Sequence, residues 1–290
     1  MGVTLQRDLV CAIKQFEPYD YIILGNQLEQ INHGDHDNTK TIVQQLHAQH
    51  PHIKIFGYID LVAFSKESPT TQQAHCEDWQ RMGVNGILFD DFGYDYGVTR
   101  DNQNQAISLA HRYQLSAIAN AWRPDDVFGT LFGESPTQLA PGDYYLFESY
   151  QHKTSYDYED YVSDSEWRAK AETLNHYLAL PTFSGIKILA ITTANTTLNA
   201  QLKLEYAWFS ALLDGYAAVG WGNPQFSASG TYQNTITSLP RPIIDNPGSQ
   251  LLGTAKQDRD NAAKYYVETD RGKIIVDTQT HRGEFIPHAH

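Results

Sequence analysis

Seven short apolar runs punctuate this chain at fairly regular intervals, and no other feature narrows its fold as much. They span residues 19–25, 53–59, 86–89, 115–119, 144–147, 186–191 and 216–221. Each is rich in β-branched and aromatic residues and nearly continuous in apolar character. Strands of a parallel sheet covered on both faces read this way, whereas a half-exposed strand would alternate. Between the runs lie longer segments of helical spacing. Residues 38–50 carry Ile42, Val43 and Leu46, with Asn38 as a candidate N-cap. Residues 68–81 open Ser-Pro-Thr, with Pro69 suited to a first turn. Helices are also predicted over 102–113, 164–180 and 197–213, and over 4–16 through Leu5, Leu9, Val10 and Ile13.

Strands alternating with helices imply βαβ units. Seven or more strands in one domain point to an α/β fold of the (β/α)8 TIM-barrel type. No glycine-rich phosphate loop follows the first strand, which argues against a dinucleotide-binding sheet. An eighth strand is not visible. The expectation is an incomplete first strand, with the missing one ahead of the chain, in a stub at 1–4, or supplied by the tail. After Trp221 the composition shifts to Pro, Gly, Ser, Asn and Thr over 223–250. Short antiparallel strands then follow at 264–267, 273–277 and 283–286, with turns at 270–272 and 280–282. The predicted division is a barrel over 1–223 and a small β extension over 224–290.

Barrel active sites form at the C-terminal ends of the strands. Here those ends read Asn26, Asp60, Asp90-Asp91, Asn120, Glu148 and Trp221. Three strands ending in carboxylates is more than polar loops require. In Gly86-Ile-Leu-Phe-Asp90-Asp91, four apolar residues deliver two adjacent acids to the rim, and strand alternation predicts that they point to opposite sides. In Asp143-Tyr-Tyr-Leu-Phe-Glu148-Ser-Tyr150, a glutamate ends a strand among aromatics. Such surroundings would raise its pKa, as a general acid requires. Two carboxylates at one barrel mouth, with Tyr58, Trp122, Tyr150 and Trp221 to stack on sugar rings, are the apparatus of glycoside hydrolysis.

Phe56-Gly57-Tyr58-Ile59-Asp60, Trp79, the segment Gly83-Val-Asn-Gly-Ile-Leu-Phe-Asp90-Asp91 and Glu148 together resemble the endo-α-1,4-polygalactosaminidase family, glycoside hydrolase family 114, and its barrel relatives. The resemblance covers roughly residues 19–222. It implies Asp90 and Glu148 as the catalytic pair, a microbial polysaccharide as substrate, amino sugars among its units, and an extracellular or cell-surface setting. Asp60, Asp91, Tyr58, Asn120, Trp122, Tyr150 and Trp221 are the candidate substrate contacts. A carboxyl separation of about 5–5.5 Å would mean retention and about 6.5–9.5 Å inversion. The tail segment 271–277 (Arg-Gly-Lys-Ile-Ile-Val-Asp) looks more like the closing strands of other polysaccharide-degrading barrels.

Other classes fit less well. The sequence has 21 Lys and Arg against 34 Asp and Glu, a net charge of −13, which disfavours nucleic acid and anionic membrane surfaces. No apolar run approaches the roughly 20 residues of a membrane span, and Met1–Arg7 has no signal-peptide core. Two cysteines, Cys11 and Cys76, cannot form a cysteine zinc site and are expected to be buried thiols. The His33-Gly-Asp-His-Asp37 cluster is expected to be a solvated loop, and the acidic, tyrosine-rich stretch 156–161 either a groove edge or an exposed loop. No Gly-x-Ser-x-Gly triad elbow occurs. No metal and no cofactor are expected. The alternative to an enzyme is a carbohydrate-binding barrel of a cell-surface or phage structural protein, without catalysis.

Overall fold

The computed structural model describes residues 3–131, 133–154, 159–193, 199–222, 239, 241–242 and 246–288. The elements run α1 (Val3–Phe16), β1 (Tyr21–Asn26), α2 (His36–Gln49), β2 (Lys54–Asp60), α3 (Leu61–Phe64), α4 (Pro69–Met82) and β3 (Gly86–Asp90). They continue with α5 (Arg100–Arg112), β4 (Ser116–Asn120), α6 (Pro124–Phe128), β5 (Tyr144–Phe147), β6 (His152–Thr154) and β7 (Glu159–Tyr161). Then come α7 (Asp164–Leu178), β8 (Lys187–Thr193), α8 (Ala200–Asp214) and β9 (Ala218–Gly222). The tail forms β10 (Lys256–Gln257), β11 (Lys264–Glu268), β12 (Gly272–Asp277) and β13 (Arg282–Pro287).

The seven long-range strands order as β1-β2-β3-β4-β5-β8-β9, so spatial order follows chain order. Pairing is parallel at β1–β2, β2–β3, β3–β4 and β8–β9. Sequential parallel strands with a helix in each crossover define the (β/α)-barrel class. All seven predicted runs are strands of this sheet. Among the described residues the tail supplies no eighth strand: β10–β13 form an antiparallel sheet of their own. Nor do Val3 and Thr4 form a strand stub, since both lie in α1.

The described chain comprises two compact units. The first holds the residues up to Tyr145 and Tyr177–Ile186; the second holds Leu146–His176 and the described residues of 187–222 and 246–288.

In the first unit, β2, β3 and β4 carry the core. Ile55, Phe56, Ile87, Phe89, Ala117 and Ile118 are all essentially without solvent contact. Such double-sided burial is why these strands read as unbroken apolar runs. Gly57 explains one piece of the sequence pattern, because a Cβ there would collide with the indole of Trp79, itself fully buried in α4. The pair is therefore a helix-on-strand packing contact. Helix α4 starts as expected: Ser68 Oγ accepts from the Thr71 N–H, Pro69 occupies the first turn, and Gly83 ends the helix at φ 92°. Helix α2 begins earlier than predicted, with Asp35 in the cap position in place of Asn38. Cys76 is buried but Cys11 is exposed, on a helix whose Val10 is also largely exposed, which corrects the expectation of two buried thiols.

In the second unit, a buried ion pair joins α7 to α8. Arg168 Nη1 lies 2.7 Å from Asp214 Oδ1, while Asp214 Oδ2 accepts from the Tyr150 hydroxyl at 3.0 Å and the Trp167 indole N–H at 2.9 Å. Four groups thus satisfy one another away from water, the condition under which a buried charge is tolerated. The tail sheet packs on α8: a Cβ at Gly283 would strike Phe209, and Ile274 and Val276 face inward. The end of the acidic stretch before α7 forms β7, which pairs with β6 in the antiparallel sense. Residues 156–158 and most of 223–250 lie outside the described residues.

Candidate functional site

The site in the first unit begins with strand register. Asp60 and Asp90 are direct partners across β2 and β3, and Ala119 opposite Phe89 places Asn120 level with Asp90. Parallel in-register strands therefore end together and present these polar residues side by side. Asp90 is held on both oxygens. The Tyr58 hydroxyl donates to Oδ2 at 2.7 Å, and the Asn120 amide Nδ2 donates to Oδ1 at 2.7 Å. The Asp91 backbone N–H adds a third donor to Oδ1 at 3.0 Å. Two of the donors come from flanking strands, so the carboxylate has little rotational freedom. Burial and the Asp90 charge push the Tyr58 hydroxyl far above its ordinary pKa, which keeps it a proton donor.

Asp91 departs from strand geometry. Its φ of 52° is left-handed, a conformation aspartate tolerates better than most residues. β3 ends at Asp90, so the alternation expected of the two acids stops there. Desolvation first, then the charges of Asp90 and Asp60, push the Asp91 carboxyl up to about 6, against a hydrogen bond from Tyr96 that opposes the rise. The two neighbours thus sit in different surroundings: Asp90 is held by three donors, and Asp91 binds its proton more tightly than an ordinary carboxyl.

Asp60 has a structural task, since its Oδ1 accepts the Ala63 N–H and caps α3 at 2.9 Å. Trp122, two residues past β4, is 48% exposed, and Tyr96 in the 3-10 turn Tyr94–Tyr96 is 50% exposed. Both aromatic rings are about half exposed to solvent. The loop carrying Tyr96 is braced from below. Buried Gln103 donates to the carbonyls of Phe92 and Asp126, and Asp126 Oδ2 accepts the Tyr94 N–H. Sequence reasoning did not assign Tyr96 or Gln103 a role. The Gly93-Tyr-Asp-Tyr-Gly97 turn immediately after the acids was the available signal for Tyr96.

The remaining candidates belong to the second unit. Glu148 is exposed just beyond β5, so the enclosure among aromatics expected of it is not found. Its charge acts on Lys170, whose ammonium lies 4.1 Å from the Phe147 ring centroid and is lowered to about 8, mainly by burial. Tyr150 has no face for a sugar. It is fully buried against Phe147 and Tyr216, and its hydroxyl is bound to Asp214. Trp221 is half-buried in β9, with its indole nitrogen turned inward. In the His33–Asp37 loop, His33 Nδ1 accepts the Asp35 N–H and His36 Nδ1 lies 3.1 Å from the Leu28 carbonyl, so both rings are engaged locally.

The strand order defines a (β/α)-barrel protein, with Asp60 and Asp90 side by side at the C-terminal ends of β2 and β3. No family model and no curated protein matches the chain. Among solved structures it is similar to barrel enzymes at low identity. The octameric ribulose-1,5-bisphosphate carboxylase/oxygenase of Pyrococcus horikoshii aligns at 9% identity over 77% of this chain, with a TM-score of 0.46, and the alignment spans only 51% of that enzyme. An HpcH/HpaI aldolase from Desulfitobacterium hafniense aligns at 10% identity, covering 77% of this chain and 84% of its own, with a TM-score of 0.42. A D-psicose 3-epimerase from Clostridium cellulolyticum aligns at 8% identity, covering 77% and 80%, with a TM-score of 0.41.

Proposed function

We propose that the protein is a glycoside hydrolase acting on a polysaccharide, with Asp90 as nucleophile or base and Asp91 as the proton-carrying acid. One arrangement supports the reading: of two adjacent carboxyl groups at a strand end, one is fixed by three hydrogen-bond donors and the other has its pKa raised by burial and by its acidic neighbours. Asp90 accepts three hydrogen bonds, and Asp91 is raised to about 6 by desolvation and by its acidic neighbours. Glycoside cleavage needs a division of roles. The acid gives its proton to the leaving glycosidic oxygen as the C–O bond breaks. The carboxylate attacks the anomeric carbon or takes a proton from the attacking water. Trp122 and Tyr96 supply aromatic faces for the sugar chain. The microbial polysaccharide, with amino sugars among its units, follows from the motif resemblance around Gly57-Tyr58 and Gly86–Asp91. The same resemblance names Glu148 as partner of Asp90, so Glu148 is tested beside Asp91.

The experiment is reducing-end release from a panel of microbial exopolysaccharides, galactosamine-containing polymers included. Wild type is compared with Asp90→Asn, Asp91→Asn and Glu148→Gln, each checked for folding by circular dichroism. The proposal expects release by wild type and loss in Asp90→Asn and Asp91→Asn. Loss in Asp90→Asn and Glu148→Gln with Asp91→Asn active would move the acid to Glu148. Binding of a polymer without any release would establish a carbohydrate-binding module in place of an enzyme.

A further inference from the structure

A second ionisable cluster lies apart from the Asp90 carboxylate, in the loop that follows β1. Glu29 belongs to that loop and is only 2% exposed. Its Oε1 lies 2.7 Å from His75 Nδ1 in α4, and its Oε2 is buried without a hydrogen-bond partner. The other ring nitrogen, His75 Nε2, lies 3.3 Å from Glu67 Oε2 in the α3–α4 connection. A carboxylate this deep is stable as an anion only beside a cation, because desolvation of an unpaired charge costs several kcal/mol. Among the described residues the base paired with it is His75, and an imidazole bonded to carboxylates through both nitrogens is a double donor, hence protonated.

The other groups packed around His75 do not replace it. α3 contributes the Phe64 ring. Within α4, burial and Glu29 push the Cys76 thiol up to about 12, so it stays neutral. α2 meets α4 at its far end, where His47 Nε2 lies 3.0 Å from the Gly83 carbonyl, and α5 meets it through the neutral Gln105–Gln72 pair.

We propose that Glu29, His75 and Glu67 form a pH-sensitive latch that fastens the first βα loop, residues 27–35, to α4 while His75 is protonated. The loop leaves the sheet at Asn26, whose register partner is Tyr58, the residue that holds Asp90. The latch therefore anchors the segment beside the strand that positions that carboxylate. Hydrogen bonds to Glu29, opposed by desolvation, raise His75 above its ordinary value. The stabilisation is thus complete below about 6.5, the unfolded histidine value, and is lost as pH rises through the higher folded value. Above it, buried Glu29 loses its cationic partner, and the loop opens to solvate it.

The test needs no enzymatic activity, so it stands or falls apart from the hydrolase reading. Hydrogen–deuterium exchange of residues 27–35 is followed from pH 5.5 to pH 9 in the whole protein, corrected for intrinsic exchange. The latch predicts that protection falls about threefold or more across that range, with a midpoint above 6.5. It also predicts a flat profile in Glu29→Gln and a retained one in His111→Asn, which removes a histidine paired elsewhere, with Asp143. Should Glu29→Gln fail to fold, titration of the His75 ring by nuclear magnetic resonance decides: a midpoint above 6.5 supports the latch. A flat wild-type profile, an unchanged slope in Glu29→Gln, or a His75 midpoint below 6.5 overturns it.

Discussion

The Tyr58 hydroxyl, on β2, donates a 2.7 Å hydrogen bond to Asp90 Oδ2 at the end of β3. Together with Asn120 from β4 it makes the orientation of one carboxylate a property of three strands. Hydrogen bonds to charged groups contribute about 1.5–3 kcal/mol each. On the proposed reading, Tyr58→Phe therefore lowers kcat/KM by about 10–100-fold, with the circular dichroism spectrum unchanged. Steady-state kinetics on whichever polymer is cleaved checks this, and an unaltered kcat/KM would mean that the clamp has no part in turnover.

Asp91 sets a pH dependence with a definite sign. Its folded pKa of about 6 lies above the ordinary 3.8, so between those values the folded chain binds more protons than the unfolded one. Stability therefore declines as pH rises through this window, and Asp91→Asn removes the penalty. The carboxyl is only partly buried, and solvent screening reduces the gain to about 1 kcal/mol. Denaturant melts should show Asp91→Asn more stable than wild type at pH 8 and equal to it at pH 3.5.

The same group governs the rate. If Asp91 is the acid, kcat/KM falls about tenfold per pH unit above about 6, and the surviving activity of Asp91→Asn loses that limb. A wild-type profile flat from pH 5 to pH 8 would remove Asp91 from the acid role.

Arg168 and Asp214 hold the second unit from within. Arg168→Met leaves Asp214 buried with only the Tyr150 and Trp167 donors, at a cost of about 3–5 kcal/mol. Urea unfolding measures it. Lys153→Met, which breaks the exposed pair with Glu166, should change stability by less than about 1 kcal/mol.

Gly57 is fixed by contact, not by backbone conformation. Gly57→Ala drives a methyl group into the Trp79 indole and should destabilise the fold by about 1–3 kcal/mol. The companion Trp79→Leu makes room, so the double variant should lose less than the sum of the two single ones.

Buried strands were the most legible feature of the sequence. The run at 144–147 coincides with β5, and the others fall within about three residues of their observed ends, because burial on both faces leaves an uninterrupted apolar signature. The four residues of α3 and the five of α6 are too few for a helical period to register. The β6–β7 pair lies partly in an acidic stretch that reads as loop, and its three-residue strands offer no pattern. Within the site, Asp60, Asp90, Asp91 and Asn120 were legible because strand ends can be located from where apolar runs stop. The direction of Asp91 was not, since a single left-handed residue cancels alternation. Tyr150 was misread for a different reason: packing and sugar stacking require the same aromatic residue. What decides between them is Asp214, 64 positions away in the chain.

The most direct measurement of the central claim separates binding from chemistry at Asp90. Titration calorimetry and turnover are measured for wild type and Asp90→Asn on the same polymer, with circular dichroism to verify folding. The account predicts that Asp90→Asn binds within about threefold of wild type while turnover falls by about a thousandfold or more. Turnover by Asp90→Asn at the wild-type rate would contradict it.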